Sequence, residues 1–414
     1  MLTRRSVLLA AGALPLAGSL PAAARAVAPG AAAPTAVNLP DKAEFPFTGT
    51  TYLDSGSVHP IGRGARAALA GYLARRSLEP QAPEGVEDEE VLGKFARLVN
   101  ADRDEVAFVQ STTTGEQMVL RALGIPESGG HIVTDTMHFF GSFPLYEELA
   151  RRGMEVTWVR PRDNRIVPED LDKAIRPATK LVALSAVSTF NGFQHDLRAV
   201  CELAHSRGAL VYADSIHAVG CVPFDLHASG VDFAACASYK WLMGDFGLGF
   251  IYARKELLTR LKRTNYGYYG MREFKPHVYP LDPPGDTIAD YAFADDATGA
   301  FALGTHGEMV MAQLNYSLDY LLRVGAANIQ AHAQTLTARL KKELPQLGYP
   351  LLTPTDSTTP LVTCLMPDAR KKLGPRLREA QLRLTTTTNR FRVSVSVFND
   401  MHDIDRLLTV LGHA

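Results

Sequence analysis

Gly208-Ala-Leu-Val-Tyr-Ala-Asp214 and Val231-Asp-Phe-Ala-Ala-Cys-Ala-Ser-Tyr-Lys240-Trp241 are the two stretches on which the reading of this chain turns. Each is an apolar run of strand length closed by a charged residue, an acid in the first and a lysine in the second. Short apolar runs bounded by turn signals read as strands buried on both faces. Working outward, the same pattern predicts strands over Val106–Val109, His131–Thr134, Glu155–Val159, Leu181–Ala186, Ala209–Ala213 and Phe233–Ala237. Helical patterns fill Thr113–Leu123, Phe143–Arg152, Pro168–Ala174 and Leu197–Arg207 between them. Strands alternating regularly with helices predict an α/β fold with a large, mostly parallel sheet covered on both faces. A glycine-bearing segment, Gly244-Asp-Phe-Gly-Leu-Gly-Phe250, follows the lysine.

On the flanks, Gly64–Arg76 reads as an amphipathic helix, with Ala68, Leu69, Tyr72 and Leu73 on its apolar side. Tyr266–Asp296 is rich in Tyr, Pro, Gly and Asp, has little periodicity, and is expected to be a long surface segment that covers a site. From Met309 a long helical pattern leads into a region where Pro360–Met366 and Phe391–Val397 read as strands and Asp403–Leu411 as a closing helix. The expected organisation is an N-terminal arm over 41–60, a large domain over 61–300 and a small C-terminal α+β domain over 301–414.

The 43 basic and 44 acidic residues nearly cancel, so no global field would draw the chain to nucleic acid. Short clusters at Glu84–Glu90 and Arg370–Lys372 read as solvated surface. Cys201, Cys221, Cys236 and Cys364 form no CxxC pair and have no zinc-like spacing with histidine, so neither a disulfide-built fold nor a metal site is expected. Residues 1–26 read as a signal peptide: Arg4 and Arg5 precede an uncharged run over Val7–Leu20, and Ala24-Arg-Ala26 fits a cleavage site. The paired arginines resemble a twin-arginine signal, which implies a periplasmic or secreted protein with no membrane anchor after cleavage. Residues 27–40 read as a flexible Ala/Pro linker. An oxidising compartment leaves a single bridge, such as Cys201 to Cys221, open.

In open α/β sheets, ligands sit at the carboxyl ends of the strands. Asp214 and Lys240 fall at two such ends. Phe108-Val-Gln-Ser-Thr-Thr-Thr-Gly115 runs from a strand into a helix, so Thr112 and Thr113 offer hydroxyls beside free amide N–H groups at a helix start, where a phosphate binds well. Separately, these are an Asp–Lys ion pair and an ordinary N-cap. Together they suit pyridoxal 5′-phosphate (PLP): the lysine forms a Schiff base, the acid keeps the pyridinium nitrogen protonated, and the helix start holds the phosphate.

With these residues in view, the chain resembles the class V aminotransferase family of PLP fold type I, a group that includes isopenicillin N epimerase-like proteins, cysteine desulfurases and kynureninases. The resemblance runs from about Tyr52 to the C-terminus and is carried by Ala213-Asp-Ser-Ile-His-Ala-Val-Gly220 and Ser238-Tyr-Lys-Trp241. It implies that Lys240 is the Schiff-base lysine and proton carrier and that Asp214 pairs with the pyridinium nitrogen. It places His217 near the cofactor's phenolic oxygen, His138 stacked on the ring, and Thr112, Thr113 and Tyr239 at the phosphate. Leu303-Gly-Thr305 matches the element by which a neighbouring subunit completes the phosphate site, which implies a homodimer with Thr305 as a contributor. Phe391-Arg-Val-Ser-Val-Ser-Val-Phe-Asn399 resembles the late motif whose arginine grips the substrate carboxylate, so Arg392 would bind it bidentately, with Arg390 a close competitor.

The chain departs from that family in places. Leu382–Arg390 lacks the mobile cysteine a desulfurase needs, Thr189 stands where the family often has Asn, and Ser111 replaces a glycine at the phosphate turn. The expected function is therefore transamination of an amino acid or peptidyl amino acid. The alternatives are a PLP-dependent epimerase, a C–S or C–C lyase, and a non-catalytic PLP-fold binding protein. Export fits tailoring of a secreted peptide metabolite better than central metabolism, and the combination looks like the periplasmic PLP enzymes that modify a siderophore side chain.

Overall fold

In the computed structural model, residues 37–46, 49–79 and 88–412 are described. The signal peptide read over 1–26, the linker up to residue 36 and the first part of the acidic cluster lie outside them. The apolar runs form β2 (Val106–Val109), β3 (His131–Asp135), β4 (Glu155–Val159), β5 (Thr179–Ser185), β6 (Leu210–Asp214), β7 (Phe233–Ala237) and β8 (Gly249–Ala253), preceded by the short β1 (Thr51–Tyr52). These seven later strands make one sheet in the order β2-β8-β7-β6-β5-β3-β4. All neighbours pair in parallel except those of β8, which runs antiparallel to both β2 and β7.

Period-two alternation sorts each strand's side chains onto two faces. Val106, Phe108, Val182, Leu184, Val211, Ala213, Ala234 and Cys236 enter one core. Ala107, Val109, Leu181, Ala183, Tyr212, Phe233 and Ala235 enter the other. Both faces are apolar because helices cover both, as a sheet with crossover connections requires. β8 is absent from the sequence reading because its first residue is a glycine in a glycine-bearing segment. Gly249 is needed there, since a Cβ would stand 2.5 Å from the Cys236 carbonyl oxygen.

Two further elements differ from expectation. Tyr266–Asp296 contains a hairpin of β9 (Met271–Pro276) and β10 (Ala289–Phe293), paired antiparallel. Its side chains are exposed or half-buried, so no apolar alternation marks it. The late strands are β11 (Leu361–Leu365), β12 (Leu382–Arg383), β13 (Thr385–Thr386) and β14 (Arg390–Ser394). β14 lies between β11 and β13, over a third core built from Leu53, Val362, Phe391, Val393, Leu340 and Ile404. β1 pairs with β12, which draws the N-terminal arm onto this late region. The helix Glu308–Val324 packs on the helices Arg63–Leu78 and Asp88–Leu98, and the chain from Val37 onward clusters as one compact unit. All four cysteines are free and buried, so the bridge left open by the sequence does not form.

Candidate active site

The parallel strands deliver their carboxyl ends to one edge of the sheet, and the polar residues gather there. β2 runs out into the helix Thr112–Ala122, β3 into the loop of His138, β5 ends on Ser185, β6 on Asp214, and β7 leads to Lys240. Sheet register places Ser185 beside Asp214, and Asp214 beside Ala235. Gly220 closes the loop after β6 against the loop after β7. It has φ +92°, and a Cβ there would lie 2.4 Å from the Trp241 carbonyl oxygen, so only glycine allows this approach.

Lys240 is 8% exposed. Its Nζ lies 3.0 Å from His217 Nε2, and the Trp241 indole N–H donates to His217 Nδ1 at 3.2 Å. Burial, reinforced by the Arg392 charge and partly opposed by Asp214, brings the Lys240 amine down to about 8. Burial also pushes the His217 imidazole well below its usual range, with Lys240 and Arg392 acting in the same direction.

Asp214 accepts the Ile216 backbone N–H on Oδ1 at 3.0 Å. Burial pushes its carboxyl up, and the His138 imidazole is the largest influence pulling it back. His138 is fully enclosed and held through both nitrogens: Nδ1 lies 2.8 Å from Ser185 Oγ and Nε2 2.9 Å from Glu116 Oε1. Glu116 also accepts from Ser142 Oγ at 2.6 Å and from the Tyr146 hydroxyl at 2.5 Å. Burial alone would lower the His138 imidazole, but the Glu116 carboxylate more than offsets it and the net shift is upward.

Thr112 Oγ1 accepts the Ala237 N–H at 3.0 Å, tying the helix start to the strand end that carries Lys240. Ser111 caps this helix by accepting the Thr114 N–H at 3.2 Å. The amides of Thr112 and Thr113 are thereby left at an anion-receptive helix start. Thr113 is half-buried beside it.

Arg392, on β14, reaches the same edge. Nη1 donates to Thr189 O at 3.0 Å and Thr189 Oγ1 at 2.7 Å, while Nη2 donates to Ser57 Oγ at 3.0 Å and Thr385 Oγ1 at 3.2 Å. Its buried Nε has no partner among the described residues. These are mostly neutral hydroxyls, which a carboxylate can replace with a stronger charge-assisted pair. Burial lowers the Arg392 guanidinium to about 10. Arg390, the alternative, instead lies over the Phe190 ring at 4.3 Å.

Lys240, His217, Asp214, His138, Thr112 and Arg392 therefore converge. Tyr239 is half-buried; its ring stacks on Phe246 at 4.5 Å and has Lys240 Nζ over it at 5.7 Å from the centroid. Thr305 is exposed. Glu116 was missed in the sequence, although Thr112 and Glu116 share a helix face at an i, i+4 spacing that could have flagged it. Trp241 stood in the deciding stretch without a role.

Three elements suit a PLP cofactor: a buried amine on one strand end, a buried carboxylate on the next, and a helix start facing both. Solved structures with this fold include PLP proteins. A C-DES mutant with glycine covalently linked to its PLP cofactor superposes with a TM-score of 0.77 at 20% identity, covering 90% of this chain and 99% of that one. The Escherichia coli cysteine desulfurase CsdA gives 0.78 at 19% identity, over 91% and 98%. The fold is thus that of the fold-type-I PLP-dependent enzymes.

Within that class, this chain belongs to the aminotransferase class-V family, whose profile matches residues 77–407. A probable cysteine desulfurase of Methanothermobacter thermautotrophicus is 27% identical over 303 residues, 70% of this chain and 71% of the relative. The cysteine desulfurase IscS of Shewanella baltica is 31% identical over 177 residues, 42% of this chain and 44% of that protein, so the match spans less than half of it.

Proposed function

We propose that this chain is a PLP-dependent enzyme acting on the amino group and Cα of an amino acid or peptidyl amino acid, with transamination as its reaction. The observation that carries this reading is that one buried base is free to move a proton. Lys240 meets a neutral imidazole, while His138 is pinned at both nitrogens. A single base that takes the Cα proton can hand it to a different atom on the same face, which is what amine transfer needs, whereas epimerisation by two bases needs a second proton donor on the opposite face. When bound, the cofactor supplies an electron sink for the charge left at Cα. The chain's own residues do the rest. The Thr112 and Thr113 amides would hold the phosphate, Asp214 would accept the pyridinium N–H, and His138 would contact the ring. Arg392 exchanges its hydroxyl partners for the substrate carboxylate and orients Cα toward Lys240 Nζ.

A second reading, C–S bond cleavage, is favoured by the relatives named as cysteine desulfurases. Sulfur transfer to a protein thiol is disfavoured by the cysteines of this chain. All four are buried, and burial raises Cys201 and Cys364 to about 12 and the other two further still. Incubating the PLP-loaded protein with an amino-acid and peptide panel plus a keto-acid acceptor separates these readings. Transamination predicts stoichiometric amine transfer to the acceptor. Sulfide or pyruvate release without transfer indicates a lyase, and α-proton exchange without a keto acid indicates an epimerase. No visible absorbance band on adding PLP would leave only a binding role.

We also propose export by the twin-arginine route, supported by Arg4, Arg5 and the run Val7–Leu20. A homodimer is proposed with it, supported by the exposed Leu303 and Thr305 of the Leu303-Gly-Thr305 segment. Cell fractionation and light scattering test these; a full-length cytoplasmic monomer contradicts both.

A further inference from the structure

His217 is gripped by two consecutive residues of the opposite loop. Lys240 meets Nε2 at 3.0 Å and the Trp241 indole N–H points at Nδ1 at 3.2 Å. An indole nitrogen can donate but never accept, so Nδ1 must present its lone pair and carries no proton. A neutral imidazole then carries its proton on Nε2, the nitrogen facing Lys240. That N–H needs an acceptor, and an ammonium group has no lone pair to offer. The contact is satisfied by one assignment: His217 donates and Lys240 accepts as a free amine. In the opposite assignment a lysine ammonium donates to Nε2, the ring proton moves to Nδ1, and two N–H groups are forced against each other at Trp241.

We propose that Trp241 is a positioning residue that sets the tautomer of His217 and, through it, holds Lys240 as a free amine. The tautomer follows from the contacts alone; its catalytic consequence rests on the reading of Lys240 as the PLP lysine. The surroundings act in the same direction. His217 is faced by Lys240 and by Arg392 of β14, so a second proton on the ring would put another positive charge beside the Arg392 guanidinium in a buried site. Lys240 is faced by Arg392, by Asp214 of β6, by the Cys236 thiol of β7 and by His217, and burial with Arg392 outweighs the attraction of Asp214. Trp241 itself is 1% exposed, and Gly220 packs closely against its backbone carbonyl.

The test compares wild type, W241F, H217Q and the double variant, each labelled with 15N-histidine and studied first without PLP. The His217 signals are assigned as those missing in H217Q. Wild type should show a proton-free Nδ1 and a protonated Nε2, while W241F, which keeps the aromatic bulk but loses the donor, should show both nitrogens averaged. On adding PLP at neutral pH, W241F should form the lysine adduct more slowly, by about tenfold for each unit its Lys240 amine rises. In the H217Q background, where no tautomer exists to set, W241F should add nothing. An unchanged His217 tautomer in W241F, or an equal slowing in the H217Q background, overturns the proposal. Should W241F fail to fold, a protonated Nδ1 in the wild-type protein overturns it equally. Failure of wild type to take up PLP contradicts the proposed function but leaves the tautomer measurement standing.

Discussion

Two buried histidines, His138 after β3 and His217 after β6, sit at the same sheet edge and are driven in opposite directions. Burial lowers both. At His138, the Glu116 carboxylate with its Ser142 and Tyr146 donors reverses the effect, so the imidazole gains a proton readily. At His217, the neighbours are Lys240, Arg392 and the Trp241 N–H, so the ring stays neutral. The same side chain at the same depth is driven toward the charged or the neutral form according to the neighbours that face it. The site is thereby split into an acid-lined side holding Asp214 and a base-lined side holding Lys240. That division lets one edge keep a ring nitrogen protonated and an amine free.

The largest effect is expected for K240A, which removes the amine of the neutral side; amine transfer and the PLP absorbance band should both vanish in the same preparation. R392A comes next. Loss of a buried guanidinium that forks onto a carboxylate costs about 4 kcal/mol, so kcat/KM for an α-amino acid should fall nearly a thousandfold, while uptake of PLP is retained. An unchanged kcat/KM would return the role to Arg390 or to neither.

E116Q attacks the acid side, and leaving His138 without its counter-charge should destabilise the fold by about 3 kcal/mol in urea titrations near neutral pH. The sign with pH follows from the two shifts. Glu116 is held below its ordinary 4.5, so its contribution is present above that value and fades as pH falls through its native one. His138 is held above its ordinary 6.5, so its contribution is full below that value and fades as pH rises through its native one. The stability difference between wild type and E116Q should therefore peak between the two and shrink on both sides. A flat difference across the acid and alkaline range would show that Glu116 is a packing group. The smallest effect is Y146F, which deletes one hydroxyl donor to Glu116 and should cost about 1 kcal/mol while the Glu116–His138 contact is retained.

Much of this arrangement is legible in the chain because it follows from strand ends. Apolar runs mark six of the seven sheet strands, and Asp214 and Lys240 are conspicuous as the charges that close two of them. β8 escaped because glycine, required by its close approach to Cys236, weakens the strand signal. The β9–β10 hairpin escaped because both its faces are largely exposed and no apolar alternation builds up. Partners of the site residues are harder to read. Arg392 takes its acceptors from Ser57, Thr189 and Thr385, which come from the segment after β1, the loop after β5 and β13, three segments far apart in the chain. Glu116 and His138 meet across the start of a helix and a loop, and nothing in their local sequence announces a pair. Local periodicity encodes where a side chain emerges, and the fold decides what it meets.

Lys240 is the residue on which both sides of the comparison depend. Borohydride reduction of the PLP-loaded protein, followed by proteolysis and mass spectrometry, reads its role directly. A single phosphopyridoxyl group on the peptide containing Ser238-Tyr-Lys-Trp241 is the predicted result. The group on any other lysine, or an equal yield from K240A, would contradict it.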